Sequence, residues 1–104
     1  MIFTRVTFIP LPAGKEPGFD HADVYRCQSP TASRLYVANT GADRIDIIDC
    51  LANSYRGSLP DVPGVAGVLI DSEQDFLFSS DRSCARASIY RCSNETLLGE
   101  GRGR

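Results

Sequence analysis

One segment of this 104-residue chain is written twice, about 42 positions apart, and such a repeat restricts the possible folds more than any single residue does. Arg34-Leu35-Tyr36-Val37-Ala38-Asn39 through Arg44-Ile45-Asp46-Ile47-Ile48-Asp49-Cys50 aligns without gaps on Phe76-Leu77-Phe78-Ser79-Ser80-Asp81 through Arg86-Ala87-Ser88-Ile89-Tyr90-Arg91-Cys92. Leu35/Leu77, Arg44/Arg86, Ile47/Ile89 and Cys50/Cys92 are identical, Tyr36/Phe78 and Asn39/Asp81 are similar, and Gly57/Gly99 keeps the same offset. Upstream, Pro17-Gly18-Phe19 matches Pro63-Gly64-Val65 at a slightly larger offset, which gives the first copy a longer turn around Ser29-Pro30-Thr31.

The repeated unit is built of strands. No stretch places apolar residues at helical spacing over three turns, whereas Arg44–Asp49 alternates, with Ile45 and Ile47 opposite Asp46. Strands are predicted at His21–Arg26, Leu35–Asn39, Arg44–Asp49 and Tyr55–Leu59. They recur at Val65–Ile70, Phe76–Ser80, Ala87–Arg91 and around Leu97-Leu98-Gly99. The punctuation between them is Gly, Pro, Asn and Asp, the residues of tight turns. A period of about 40 to 50 residues made of short strands is the mark of a β-propeller blade. The predicted fold is therefore all-β: about two antiparallel four-stranded blades, residues 17–62 and 63–100, in one partial propeller domain. An orphan outer strand and turn (6–16, the strand over Val6–Leu11) precede them, and a short tail (101–104) follows. A closed ring takes about four to eight blades, so two blades leave their flanks uncovered.

Composition narrows the functional classes. A formal charge of -2 gives no basic face for phosphate binding, so no nucleic-acid partner is expected. No apolar run is long enough to span a bilayer, and Met1–Val6 lacks a signal-peptide layout, so the expected location is the cytoplasm, or the periplasm if the chain is truncated, with no membrane partner. Cys27, Cys50, Cys84 and Cys92 form no C-x-x-C pair and sit far from metal-ligand spacing with the single His21, so mostly buried thiols are expected. Asn94-Glu95-Thr96 matches a glycosylation sequon, which has meaning only in a secreted chain.

Leu35-Tyr36-Val37-Ala38-Asn39-Thr40-Gly41 followed by Arg44-Ile45-Asp46-Ile47-Ile48-Asp49 closely resembles the YVTN-type β-propeller repeat. The second copy is more distant, and Ser79-Ser80-Asp81-Arg82-Ser83 lacks the glycine of the motif, leaving that turn undetermined. The resemblance implies a partial propeller related to seven-bladed rings, some of which are lactonase-like enzymes with a central metal.

Strand order then says which residues can meet. Neighbouring strands run oppositely, so the turn entering the first strand of a unit and the turn leaving the second lie at one end. That end collects Asp20, His21, Asp23, Asn39 and Asp43 with Asp81 and Arg82, the candidate ligand-binding residues. Each also has a plainer role, since Asp and Asn build turns for backbone reasons. His21 beside Asp20 and Asp23 is a candidate general base, and Asp20, Asp23, Asn39 and Asp81 offer oxygen ligands for calcium. No P-loop, G-x-S-x-G or G-x-G-x-x-G occurs. The expected function is a binding or scaffold module with no catalytic residue and no cofactor. The alternatives are a fragment of a lactonase-like metal-dependent hydrolase, or a truncated product without a function of its own. Expected partners are further copies of the chain or further blades, and a small molecule or protein.

Overall fold

The computed structural model describes residues 4–5, 7–14, 16, 18–26 and 33–102. They form eight strands in two sheets. β1 (Ala22–Tyr25), β2 (Arg34–Asn39), β3 (Arg44–Asp49) and β4 (Ser54–Leu59) make an antiparallel meander in that order. β5 (Val65–Asp71), β6 (Phe76–Asp81), β7 (Arg86–Arg91) and β8 (Thr96–Arg102) make a second one. No helix among the described residues is long and apolar enough to cross a membrane.

The repeat in sequence is a repeat in register. Tyr36 pairs with Ile47 and Ile47 with Gly57, while Phe78 pairs with Ile89 and Ile89 with Gly99. Both sheets carry a bulge at the same place, between Ile47 and Ile48 and between Ile89 and Tyr90. The β2–β3 and β6–β7 turns also agree: each is a short 3-10 turn (Thr40–Ala42, Arg82–Cys84) closed by a left-handed residue, Asp43 at φ 55° or Ala85 at φ 48°. The missing glycine of the second copy therefore does not alter its turn, because the left-handed position falls two residues after Gly41, not on it.

Each sheet has two faces, set by the two-residue period of the strand. The face of the first sheet carrying Tyr36, Ala38, Ile45 and Ile47 packs on the face of the second carrying Val68, Leu77 and Tyr90, and Val62 of the connection and Val65 at the start of β5 close the same core. Burial of each large apolar side chain here contributes on the order of 2 kcal/mol. The first strands lie side by side: His21 N–H donates to Ala66 O (3.2 Å), Ile70 N–H to Asp23 Oδ2 (2.8 Å) and Arg26 N–H to Ser72 Oγ (3.0 Å). The numbers rise together, so β1 and β5 run in the same direction.

Two expectations are corrected at the ends of the chain. Residues Thr7–Leu11 pair with no strand, and Val6 lies outside the described residues. Pro10 and Pro12 carry no N–H for a ladder. The segment instead crosses the end of the first sheet, where Arg44 Nη2 donates to Pro12 O and Glu16 N–H to Gly41 O (3.1 Å). At the other end the expected tail begins late: Gly101 and Arg102 belong to β8, opposite Ala87 and Arg86. Thiol burial also differs from expectation. Cys92 is buried, Cys84 half-buried and Cys50 exposed, and Cys27 lies outside the described residues.

Candidate functional site

The end of the molecule where β1 and β5 begin gathers most of the predicted site residues, as antiparallel order requires. Backbone bonds draw the entry to β1 onto the exit of β2: Asp20 N–H to Ala38 O (2.9 Å), Ala38 N–H to His21 O (2.9 Å) and Gly41 N–H to Gly18 O (3.1 Å). Thr40 Oγ1 donates to Val65 O (2.6 Å) and Arg82 N–H to Gly64 O (3.1 Å), which brings the turn of the second sheet alongside.

Three of the seven candidates meet at the surface. Asp20 Oδ1 lies 3.3 Å from His21 Nε2, and its Oδ2 accepts from Arg82 Nη2 at 3.0 Å. His21 and Arg82 are largely exposed, so these contacts contribute little to stability. Of the three, His21 lines a shallow depression of about 300 Å³ together with Gly67, Leu69, Phe78 and Ser80. Its floor is apolar and its rim polar, the composition of a site for a small ligand with one apolar and one charged end.

The other four candidates hold the fold together. Asp23 turns its carboxylate toward β5, accepting from Val24 N–H and Ile70 N–H, each at 2.8 Å. Asp43 Oδ1 accepts from Gly64 N–H at 2.9 Å, fixing the connection between the sheets. Asn39 is buried and donates from Nδ2 to Asp46 Oδ2 at 2.8 Å, while Arg44 Nε donates to Asp46 Oδ1 at the same distance. Asp81 is buried and accepts from Arg86 Nε (2.8 Å), Ser79 Oγ (3.1 Å) and Ser88 Oγ (3.3 Å). The Asp81 carboxylate also holds Arg86 above its usual range.

The last two networks are one device in two forms. Positions 39 and 81 lie opposite the arginines at 44 and 86 and diagonal to positions 46 and 88 on the same face of each sheet, at the 42-residue offset. The first sheet puts Asn and Asp there, the second Asp and Ser. Each sheet thus buries one carboxylate and spends it on the arginine at 44 or 86, which explains the Arg identity between the copies. A sequence reading sees Asn39 and Asp81 as turn residues, and only the cross-strand partner shows that they serve a buried ion pair.

Chemistry at the surface cluster is limited by these assignments. Ser80 Oγ accepts from Gly67 N–H (2.9 Å), and Ser79 Oγ donates to Asp81 Oδ1 (3.1 Å). Asp20, Asp23, Asn39 and Asp81, the proposed calcium ligands, point to four different partners. Among the described residues no group of three or more His, Cys, Asp or Glu side chains is placed to hold a metal ion. Sequence reasoning overlooked Gly67, Leu69 and Phe78, whose place beside His21 depends on how the two sheets stack.

No family model and no curated protein matches the sequence. Among solved structures, a chain of hydrazine synthase from Kuenenia stuttgartiensis is similar in fold, with a TM-score of 0.61 over 71% of this chain and 15% identity. The match spans 21% of that chain's length, and at this identity it speaks to the fold alone.

Proposed function

We propose that this chain is a binding module made of two β-propeller blades of the YVTN type, with its ligand site at the end where β1 and β5 begin. The observation that carries this reading is the Asp20–His21–Arg82 cluster beside the apolar depression of Gly67, Leu69 and Phe78. The cluster presents the His21 imidazole at an apolar floor, with the Asp20 carboxylate and Arg82 guanidinium joined to it by ion pairs. It offers recognition of a small anionic or carboxylated molecule with an apolar body, Arg82 taking the charge and Leu69 and Phe78 the body. The parallel course of β1 and β5, and the same meander formed twice, support the blade assignment. The hydrolase alternative needs a nucleophile or a metal, and the four carboxylate and amide side chains considered for a metal each bond to a different partner.

The test is a titration of the isotopically labelled chain with small aryl and alkyl carboxylates, followed by amide chemical shifts. Saturable shifts confined to His21, Gly67, Ser80 and Arg82, lost in Arg82→Ala, support the reading. Hydrolysis of a sugar lactone that depends on a divalent metal and on His21 would replace it with the hydrolase alternative. An absence of saturable shifts would remove the small-molecule site.

A further inference from the structure

The two sheets differ in what covers them. In the first sheet the row Asp23, Tyr36, Ile47, Gly57 lies against the second sheet, with Tyr36 and Ile47 fully buried. The row at the same register in the second sheet is Leu69, Phe78, Ile89, Gly99. There Leu69 is 65% exposed and Phe78 and Ile89 each 36%. β6 and β7 accordingly alternate buried and exposed along their length, whereas three consecutive residues of β3 are buried.

The positions that bond the first sheet to the second have also changed character. Asp23, which bonds Ile70, is replaced at register by Leu69. Tyr36, whose hydroxyl donates to Cys92 O at 3.4 Å, is replaced by Phe78. Arg34, which donates to Cys92 O at 3.0 Å and to Glu95 Oε1 at 3.3 Å, is replaced by Phe76. Phe76 stands edge-on to Phe78 with ring centroids 6.0 Å apart, so the exposed face carries contiguous aromatic surface. At these three positions the face has exchanged polar side chains for apolar ones, with Arg91 stacked over the Phe76 ring at its edge.

What such a face receives is visible inside the chain. The face seated on Tyr36 and Ile47 carries Ile70, Leu77 and Tyr90. At the same register the first sheet presents Val24, Leu35 and Ile48 on its opposite face, all apolar and half-buried. We propose that the Leu69–Phe78–Ile89 face docks on the Val24–Leu35–Ile48 face of a second copy of this chain, repeating the internal sheet-to-sheet interface from one molecule to the next. The contact is head-to-tail, since it joins two different faces. This inference rests on reading the chain as a pair of blades.

The test is complementation between two surface variants, read by light scattering after size exclusion. Wild type has at least twice the single-chain mass, rising with concentration. Ile89→Arg, which disables one face, and Ile48→Arg, which disables the other, are each monomeric. Their equimolar mixture gives a two-chain complex and nothing larger, through the one intact pair of faces. Should Ile48→Arg fail to fold by circular dichroism, Val24→Lys on the edge strand replaces it. A wild type monomeric up to millimolar concentration overturns the proposal, as does a mixture that stays monomeric. Ile48→Arg that self-associates like wild type also overturns it, because that result belongs to two Leu69–Phe78–Ile89 faces packing on each other. Leu69 and Phe78 also floor the depression beside His21, so carboxylate binding and assembly compete for one face, and the ligand titration is repeated on the Ile48→Arg monomer, which leaves that face open. A wild type that is monomeric and still binds carboxylates at Arg82 sinks this inference and leaves the function reading standing.

Discussion

Tyr36 shows at the scale of one residue how the same side chain serves core and interface. Its ring is fully buried and its hydroxyl reaches Cys92 O in the turn between β7 and β8. Burial pushes its ionisation up to about 12 against the pull of Arg34, whose guanidinium favours the phenolate. The folded value lies above the unfolded one near 10, so the folded state keeps the proton longer. The stability this confers is complete below pH 10 and lost as pH rises from 10 through 12, a loss on the order of 2 to 3 kcal/mol. Urea unfolding of wild type between pH 9 and 12 should show that decline, and Tyr36→Phe should flatten it. Some slope should persist, because burial also raises Tyr90, with the Asp81 charge adding to the effect. An unchanged slope in Tyr36→Phe would place the titrating group elsewhere.

Turns and strand pairs are the scale at which the two copies can be compared directly. Asp43 and Ala85 occupy the same left-handed position, but Asp43 also accepts a hydrogen bond from Gly64 N–H, and alanine has no side chain to offer. A left-handed alanine costs roughly 1 to 2 kcal/mol, while glycine adds about 0.5 to 1 kcal/mol of unfolded-state entropy. Ala85→Gly should therefore stabilise the chain by about 0.5 kcal/mol, seen as a higher urea midpoint, and Asp43→Gly should destabilise it. The exchanged carboxylates allow a sharper comparison. Asp81→Asn leaves Arg86 without its buried partner and should cost about 2 to 4 kcal/mol. Asp81→Asn combined with Ser88→Asp rebuilds in the second sheet the pattern of Asn39, Asp46 and Arg44, and should recover most of that loss. A double variant no more stable than Asp81→Asn would mean that the two networks are not equivalent.

Over the whole molecule, the two sheets are held by an apolar core and a few polar bonds along the β1–β5 seam. Asp23 is the chief of these, because one carboxylate serves an amide in each sheet. Asp23→Ala leaves Ile70 N–H without its acceptor and should cost about 1 to 3 kcal/mol. Hydrogen exchange should speed up at Ile70 more than at Leu77, whose strand lies within the sheet. Uniform acceleration across both sheets would instead mean that they open as one unit. Tyr25 and Ser93 converge on Asp75 at the far end of the seam. Their hydrogen bonds lower its ionisation although burial, the largest single influence, pushes it up.

The internal repeat by itself determined the eight strands, their order and their near boundaries, because a two-residue period bounded by turn residues depends on neighbours in sequence. It also determined which turns share an end, since antiparallel order follows from short connections. Asp20, His21 and Arg82 were thus legible before any coordinates as members of a group of seven at one end, though not as the three that meet. The roles of Asp23, Asn39 and Asp81 were not, because their partners lie across a strand pair or in the other sheet, and an aspartate that builds a turn is written with the same letter as one that neutralises a buried arginine. Stacking was equally hidden. Tyr36 and Phe78 read alike in the two copies, yet one is buried and the other exposed, because the second sheet covers the first and no described part of the chain covers the second.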